Sequence, residues 1–343
     1  MTAAEEILNF LEANKVTDVE IPHKEVVEVL VTMTPVEAAK VLLKNNIIGA
    51  PVWCESTKKN IGFFDMRDLL STVIASHKQE VEAKSKPSVS NLKLTKWFLN
   101  DSIPGCAAKG EFTVSYLAAR NPFVSLTDDA TIKQICDMCA ERQCHRVPIV
   151  DSATGRCVRI ISQSAIVKFF VDHLLAENKN ASLKAFFARP LVESKLPYKK
   201  QVISSPDTAT ASDVFELMDS HRLSGVAIVD SSDGALVGNT SASDIKLAVA
   251  MDDDEADEEG NMVAIADLGL NIVTYLSAVR QEDRSKETKY PSSHVKESST
   301  LGHAIRLLAK TGYHRVFVVD EHLKPVGVVS VTDIVKFIRE QSK

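Results

Sequence analysis

The sequence predicts an α/β protein in which one helix–strand–strand–helix unit occurs four times, with the units paired into two tandem modules. The main observation is a spacing that recurs across the 343 residues. Each copy opens with a threonine, at Thr34, Thr131, Thr210 and Thr300. Fifteen positions later stands the second residue of a short pair, and the pairs are Ile48-Gly49, His145-Arg146, Ser224-Gly225 and His314-Arg315. Because such a repeat implies repeated supersecondary units, it decides the architecture before any local assignment.

The first element of each unit is predicted to be an amphipathic helix. Apolar residues stand one, four, five and eight positions after each threonine, which is the spacing of one helix face. A threonine hydroxyl can accept a hydrogen bond from the free amides of the first turn, so each threonine is an expected N-cap. Glu37, Gln134 and Asp213 stand three residues further on, where they complete or nearly complete a capping box.

Two strands and a second helix follow in each unit. The first strand is a short run rich in Val and Ile, and the four runs read APVW, VPIV, VAIV and VFVV. A turn comes next, and a second strand then enters another helix. A single unit leaves one sheet face and two helix faces uncovered, so we expect the units to pair two by two.

The predicted boundaries follow from these elements. We expect an N-terminal helix over 1–20, units over 21–78, 114–178, 190–250 and 285–343, and connectors over 79–113 and 251–284. The two modules then span about 20–178 and 180–343. The second connector contains an acidic run at 252–259, which we predict to be a solvated loop. A calcium loop is the weaker alternative, because the alternating ligand pattern with its closing glutamate is missing.

Composition limits the functional classes. A net charge of −6 argues against a nucleic-acid partner, which needs a dense basic surface. No apolar stretch approaches the ~20 residues that span a bilayer, and the acidic start lacks the basic segment of a secretory signal. Six cysteines without a regular framework indicate a reducing compartment. We therefore expect a protein of the cytoplasm or the nucleus, with no membrane partner.

The entrance of the second helix carries a recurring acid. Asp68, Ala165 and Asp244 stand thirty-four positions after the first three threonines, and Asp333 stands thirty-three after the last. In the third and fourth units the corner reads GNTSASD and GVVSVTD. These corners resemble the strand-to-helix corner of a cystathionine β-synthase (CBS) domain. Four such units, with GAPVW in the first and His-Arg pairs in the second and fourth, resemble the gamma regulatory subunits of AMP-activated protein kinase over about residues 24–341.

The resemblance implies tandem CBS domains arranged in a pseudo-symmetric disc, with adenine nucleotides in clefts between paired units. It implies ribose contacts from the carboxylates of Asp68, Asp244 and Asp333, since a carboxylate offers two acceptor oxygens to two vicinal hydroxyls. Four hydroxyls at the helix entrances would also meet the ligand, those of Ser241, Ser243, Ser330 and Thr332. Phosphate contacts would come from His145, Arg146, His314 and Arg315.

Each of these residues also fits a role without a ligand. Ser-x-x-Asp at a helix start is a capping signature, and a His-Arg pair suits a solvated strand edge. Ala165 replaces the acid in the second unit, so we expect that pocket to hold no nucleotide; the gamma family also lacks the acid in its second domain. Ile48 stands where the family has arginine, Ser164 where it has lysine, and Asp65 where it has a hydroxyl. These departures favour the alternative function, a CBS scaffold with degenerate pockets.

The sequence predicts neither a metal site nor a catalytic centre. Cys136, Cys139 and Cys144-His145 suggest zinc, but the first two fall on the apolar helix stripe and are expected in the core. No phosphate-binding glycine loop occurs, and no nucleophile, base and orienting group can be assembled. We expect a non-enzymatic energy-sensing subunit that binds AMP, ADP and ATP, uses no cofactor, and joins the catalytic and scaffold subunits of a Ser/Thr kinase.

Overall fold

The computed structural model describes residues 1–22, 25–85, 114–142, 144–176, 180–198, 201–248, 268–282 and 294–342. No helix within these ranges is both long and apolar enough to cross a membrane. The acidic run at 252–259 and most of both connectors lie outside them, so the loop and the domain boundaries stay predictions.

All four units show the predicted helix–strand–strand–helix order, with one helix and one short strand added in front of each. The first unit comprises α1 (Ala3–Ala13), β1 (Val29–Leu30), α2 (Pro35–Lys44), β2 (Gly49–Cys54), β3 (Lys59–Asp65) and α3 (Met66–Ser85). The second comprises α4 (Val114–Ala119), β4 (Leu126–Thr127), α5 (Ile132–Arg142), β5 (Arg146–Val150), β6 (Cys157–Ser162) and α6 (Gln163–His173).

The third and fourth units repeat this order. The third comprises α7 (Ala181–Phe187), β7 (Ser204–Pro206), α8 (Ala211–Ser220), β8 (Gly225–Val229), β9 (Leu236–Ser241) and, as its second helix, a 3-10 helix (Ala242–Ala248). The fourth comprises α9 (Ile272–Glu282), β10 (His294–Lys296), α10 (Leu301–Thr311), β11 (Arg315–Val319), β12 (Pro325–Ser330) and α11 (Val331–Gln341). Single 3-10 turns lie at Val16–Asp18 and Leu191–Glu193.

The predicted helix caps are present in all four units. Each threonine hydroxyl accepts a hydrogen bond at 3.1–3.3 Å from the amide three residues on, which belongs to Glu37, Gln134, Asp213 or His303. Thr34 and Thr210 form full capping boxes with Glu37 and Asp213. These caps fix where the first helix of each unit begins, and therefore where the following strand starts.

The strand register is the same in every sheet and positions the candidate site. The short first strand pairs parallel with the middle strand, which pairs antiparallel with the last. The second residue of each short pair lies opposite the residue that enters the second helix, giving the pairs Gly49–Asp65, Arg146–Ser162, Gly225–Ser241 and Arg315–Ser330. The side chains of each short pair and of each helix entrance therefore lie at the same end of the sheet.

The two predicted tandem modules are confirmed, because the segment between the leading helix and the first strand of a unit lies on the other unit of its module. Asn121, between α4 and β4 of the second unit, accepts a hydrogen bond from the Phe63 amide of the first at 2.9 Å. Conversely, Arg159 of the second unit donates to the carbonyls of Thr17 and Val19. In the other module the Val328 amide donates to the Tyr198 carbonyl at 2.9 Å.

Helices join the two modules into the pseudo-symmetric arrangement that the resemblance implied. The later helices of the first and third units share one apolar core with α4 and α9, and those of the second and fourth units share another with α1 and α7. Cys136 and Cys139 are buried in the second of these cores, as predicted. A hydrogen bond of 2.6 Å from Arg339 to Asp137 crosses between the same two units.

Candidate functional site

The four strand-to-helix corners meet at one central cavity of about 280 Å³. Every unit contributes to its lining. The short pairs supply Ile48, His145, Arg146, Ser224, His314 and Arg315. The helix entrances supply Asp65, Arg67, Ser162, Gln163, Ser164, Ser241, Ser243, Ser330 and Thr332. The structure therefore brings together all the predicted phosphate and hydroxyl contacts, whose role toward a ligand stays a prediction.

Arg146 reaches from the second unit across to the first. Its side chain is only 13% exposed, and its Nη1 lies 3.5 Å from an Asp65 carboxylate oxygen. Burial lowers the pKa of Arg146, and the charge of Arg67 lowers it further, while Asp65 acts in the opposite direction. Asp65, the sequence's departure from the expected hydroxyl, thus partly neutralises a guanidinium that faces the cavity.

Arg315 occupies the equivalent place in the other module. It reaches from the fourth unit to the third and donates to the Gly225 carbonyl and to the Ser224 hydroxyl. Burial lowers the pKa of Arg315 to about 10, with a further lowering from Arg67. At this pKa the guanidinium is still charged at neutral pH, so the cavity keeps a permanent cation on this side.

Two arginines of the cavity were missed from the sequence. Arg67 stands on the first turn of α3, where the other units carry Ser164, Ser243 and Thr332. Arg222 stands two residues before Ser224 in the third unit, with a left-handed backbone of φ 52°. The signal for Arg222 was its repeat position, which the fourth unit fills with Gly312 at φ 66°.

The charge balance of the cavity favours an anion. Among the described residues, four guanidiniums line it, those of Arg67, Arg146, Arg222 and Arg315, against one lining carboxylate, that of Asp65. Desolvation lowers the pKa of His145, and the charges of Arg67 and Arg146 lower it further, so this imidazole favours its neutral form and can still donate a hydrogen bond. An excess of cations over anions in a partly buried site is costly, so a ligand with several negative charges complements this lining.

The helix-entrance hydroxyls are partly engaged within the protein. Thr332 donates to Gln163 Oε1 at 2.6 Å, and Gln163 Nε2 donates to the Cys144 carbonyl at 3.0 Å. These bonds tie the fourth unit to the second across the cavity. The hydroxyls of Ser241 and Ser243 lie 2.6 Å apart and bond to each other.

The predicted ribose aspartates do not line the central cavity. Asp333 accepts from the Ser330 amide at 2.9 Å and from its hydroxyl at 2.7 Å, and the pair forms a full capping box. Asp244 accepts from the Ser241 amide at 2.7 Å and from the Thr240 hydroxyl at 3.1 Å. Both carboxylates therefore perform the capping role that the sequence offered as the alternative, and their ribose contacts stay a prediction.

Asp68 lies in a closed corner. Its side chain is 3% exposed, and Oδ2 accepts from the Asp65 amide at 3.0 Å and from Asn121 Nδ2 at 3.2 Å. Burial, reinforced by the nearby charge of Asp65, raises the pKa of Asp68 to about 8. Phe63, whose amide donates to the Asn121 carbonyl, stacks on Phe123 with ring centroids 5.8 Å apart. A ribose at this corner would first have to displace Asn121.

A second cavity of about 210 Å³ lies at the corresponding corner of the second unit. Ala165 forms part of its wall, at the repeat position of Asp68, and its methyl group offers no acceptor to a ribose; that this corner holds no nucleotide stays a prediction. Ile48, Arg146 and Ser162 line both cavities.

Comparison with known proteins places these features in a family. The family model of the CBS domain matches residues 16–75, 114–172, 196–250 and 289–340. Protein MJ1225 from Methanocaldococcus jannaschii, described as a proposed archaeal homolog of g-AMPK, superposes with a TM-score of 0.61 at 16% identity. The match covers 94% of this chain and 99% of that one, and it shows a shared fold.

Two groups of relatives are similar in sequence. Protein SDS23 of Scheffersomyces stipitis is 21% identical over 301 residues, which cover 84% of this chain and 54% of that protein. The 5'-AMP-activated protein kinase subunit gamma of Saccharomyces cerevisiae is 24% identical over 342 residues, covering 98% and 93%. That of Dictyostelium discoideum is 23% identical over 340 residues, covering 98% and 53%. This chain thus spans about half the length of the Scheffersomyces and Dictyostelium proteins. With four domain matches over more than half of its length, the chain belongs to the CBS domain family.

Proposed function

We propose that this protein is a non-enzymatic regulatory subunit whose central cavity binds the phosphates of AMP, ADP and ATP. The observation that carries the proposal is that, in the part of the chain that the structure describes, four arginines and one carboxylate line this cavity. A guanidinium is a permanently charged, planar donor that matches phosphate oxygens. Nucleotides that differ in phosphate number would therefore engage different numbers of these arginines.

The regulatory mechanism follows from where the arginines come from. Arg67 and Arg146 belong to the first module, and Arg222 and Arg315 to the second. A phosphate chain that contacts both sides would bridge the modules. A ligand biases a partner only if it binds two states of the protein unequally. Bridging supplies such a difference, because it depends on the relative placement of the modules.

Calorimetric titration of the full chain with AMP, ADP, ATP, adenosine and S-adenosylmethionine tests the binding. We expect the three nucleotides to bind and to raise the melting temperature by mass action. Adenosine should bind far more weakly, since it offers nothing to the arginines. If calorimetry detects no binding of AMP or ATP at millimolar concentration, the nucleotide-sensing function is rejected and the scaffold function is supported.

The partner is the second part of the proposal. Similarity to subunits gamma of 5'-AMP-activated protein kinase supports a Ser/Thr kinase complex with catalytic and scaffold subunits. Its test is replacement of the subunit gamma in Saccharomyces cerevisiae by this chain, with recovery of a nucleotide-responsive kinase complex as the expected result. Failure to co-purify with the other subunits would separate nucleotide binding from kinase partnership.

A scaffold with degenerate pockets is the alternative. The closed Asp68 corner and the Arg146–Asp65 pair favour it. In both, a polar group that a nucleotide would otherwise contact already has a partner inside the protein. SDS23 relatives are consistent with either function. The same titration decides between the two.

A further inference from the structure

We propose that the second cavity, beside Ala165, binds a compact apolar monoanion without a ribose, such as an aromatic or branched aliphatic carboxylate, with its charge on Arg146. The cavity of about 210 Å³ lies between the first two units. Its walls are largely aliphatic and include Val26, Val27, Ile47 and Ile160. Such walls suit an apolar body, which gains by leaving water.

The cavity exists because small residues replace large ones. In the first unit the symmetry-related corner is filled by Phe63 and Phe123, whose rings stack at an interplanar angle of 13°. In the second unit Ile160 takes the strand position of Phe63, since each pairs with a proline of the middle strand. Val26 takes the position of Phe123, three residues before the first short strand. The same fold therefore leaves open in one unit a space that it fills in the other.

Arg146 provides the anion site. Its guanidinium lines the cavity and is largely buried, and among the described residues the carboxylate that it contacts, Asp65, lies at 3.5 Å. This contact is longer than a good charge-assisted hydrogen bond, which measures about 2.7–2.9 Å. A ligand carboxylate can therefore improve on the existing pair.

The lining also selects against a nucleoside and against a polyanion. The methyl group of Ala165 offers no acceptor to a ribose diol. Glu25 is exposed at the rim and adds a negative charge there, which disfavours a ligand with more than one anionic group. The missing acceptor at the repeat position and the added negative charge at the rim favour a monoanion without a ribose.

The two cavities share the Arg146 guanidinium, so their ligands should compete for it. This coupling rests on the proposed nucleotide site, whereas binding to the second cavity does not. By linkage, each ligand would weaken the other by the same factor.

The probe is 2-naphthoate, titrated calorimetrically into the full chain, with neutral methyl 2-naphthoate for comparison. We expect one naphthoate per chain and much weaker binding of the ester. Arg146→Gln should weaken naphthoate about tenfold or more, the usual effect of losing a charged hydrogen-bond partner. Arg315→Gln is the matched control, because Arg315 lines the central cavity but not the second one. This variant should leave naphthoate affinity unchanged.

Val26→Phe should abolish naphthoate binding by filling the cavity as Phe123 fills its counterpart, and Ile160→Phe serves if that variant does not fold. The proposal is overturned if wild type does not bind naphthoate, if the ester binds equally well, or if Arg315→Gln and Arg146→Gln lose the same affinity. Displacement of naphthoate by adenosine would also overturn it. A failed nucleotide titration with successful naphthoate binding would reject the nucleotide site alone.

Discussion

Arg315 crosses from the fourth unit to the third and donates to the backbone carbonyl of Gly225. The other module repeats the relationship, with the Arg146 guanidinium against Gly49. A Cβ added to Gly49 would lie 2.9 Å from Arg146 Nη1. Each arginine of an even-numbered unit therefore needs a glycine in the odd-numbered unit beside it, and the two residues act as one motif divided between units.

Substitution of the two glycines should have unequal effects. The Cβ of Gly225→Ala would lie 2.4 Å from the Thr240 carbonyl oxygen, which belongs to rigid backbone. We expect a loss of about 1–3 kcal/mol in the free energy of unfolding, the usual range for overpacking. The Cβ of Gly49→Ala would meet the flexible end of Arg146 and the Cβ of Asp65 at 2.9–3.0 Å, both side-chain contacts, so it should cost less stability but weaken nucleotide binding. Urea unfolding and calorimetry measure both, and a larger stability loss in Gly49→Ala would contradict the assignment.

Asp333→Ala and Arg315→Ala distinguish contacts to the ribose from contacts to the phosphates. If Asp333 holds the ribose, its loss should weaken AMP, ADP, ATP and adenosine alike. Arg315→Ala should weaken AMP roughly ten- to a hundredfold, because a hydrogen bond to a charged group contributes about 1.5–3 kcal/mol. Adenosine should be nearly unaffected by Arg315→Ala. Equal losses for adenosine and AMP in that variant would show that Arg315 serves packing alone.

Arg222→Gly should improve stability while it harms binding. The residue has φ 52°, a left-handed conformation that glycine adopts without strain, as Gly312 does in the fourth unit. We expect a gain of up to about 1 kcal/mol in the free energy of unfolding. Nucleotide affinity should fall, most for the ligand with the most phosphates. Unchanged ATP affinity, with a raised melting temperature, would remove Arg222 from the phosphate site.

Asp68→Asn should change how stability depends on pH. Burial raises the pKa of Asp68 from 3.8 to about 8, so the folded protein holds this proton more tightly than the unfolded chain. The stability contributed by the neutral carboxyl is full below about pH 4 and is lost as pH rises through about 8. Asparagine stays neutral at every pH. The free energy of unfolding of the variant should therefore rise relative to that of wild type across this window by at least about 1.4 kcal/mol, the equivalent of one pKa unit.

The measurement is the difference in the free energy of unfolding between Asp68→Asn and wild type at several pH values. Taking the difference cancels the other titrating groups. A difference that does not grow between about pH 4 and pH 8 would mean that Asp68 is ionised in the folded protein.

Local chemistry made much of this fold predictable. The capping threonines, the Val- and Ile-rich strands and the constant spacing act within one unit, and the structure confirms them. The register then follows, so the placement of each His-Arg pair beside the helix entrance of its own unit was predictable as well. Asp333 carried two possible roles in the sequence, and the structure shows its capping role.

The rest depends on contacts between units that no single repeat encodes. Arg67 and Arg222 enter the cavity only because the two modules face each other. Asp68 is bonded by Asn121, which comes from the leading segment of the second unit. The second cavity arises because Val26 is smaller than Phe123, which occupies the equivalent position in the first unit's corner. Whether a smaller side chain leaves a cavity depends on the residues packed opposite it, which the sequence does not give.

The crossing of each leading segment onto the neighbouring unit governs the order in which this chain can fold. No unit is complete until its partner has left the ribosome, and neither helix core can close until the units beyond residue 180 have been made. Contacts of such long sequence separation slow folding. During synthesis the first module has two apolar helix faces that remain uncovered until the second module is made. A truncated chain of residues 1–176 should therefore self-associate through these faces. The central cavity forms only after β12 and α11 of the fourth unit have been made, so nucleotide binding requires the synthesis of all four units.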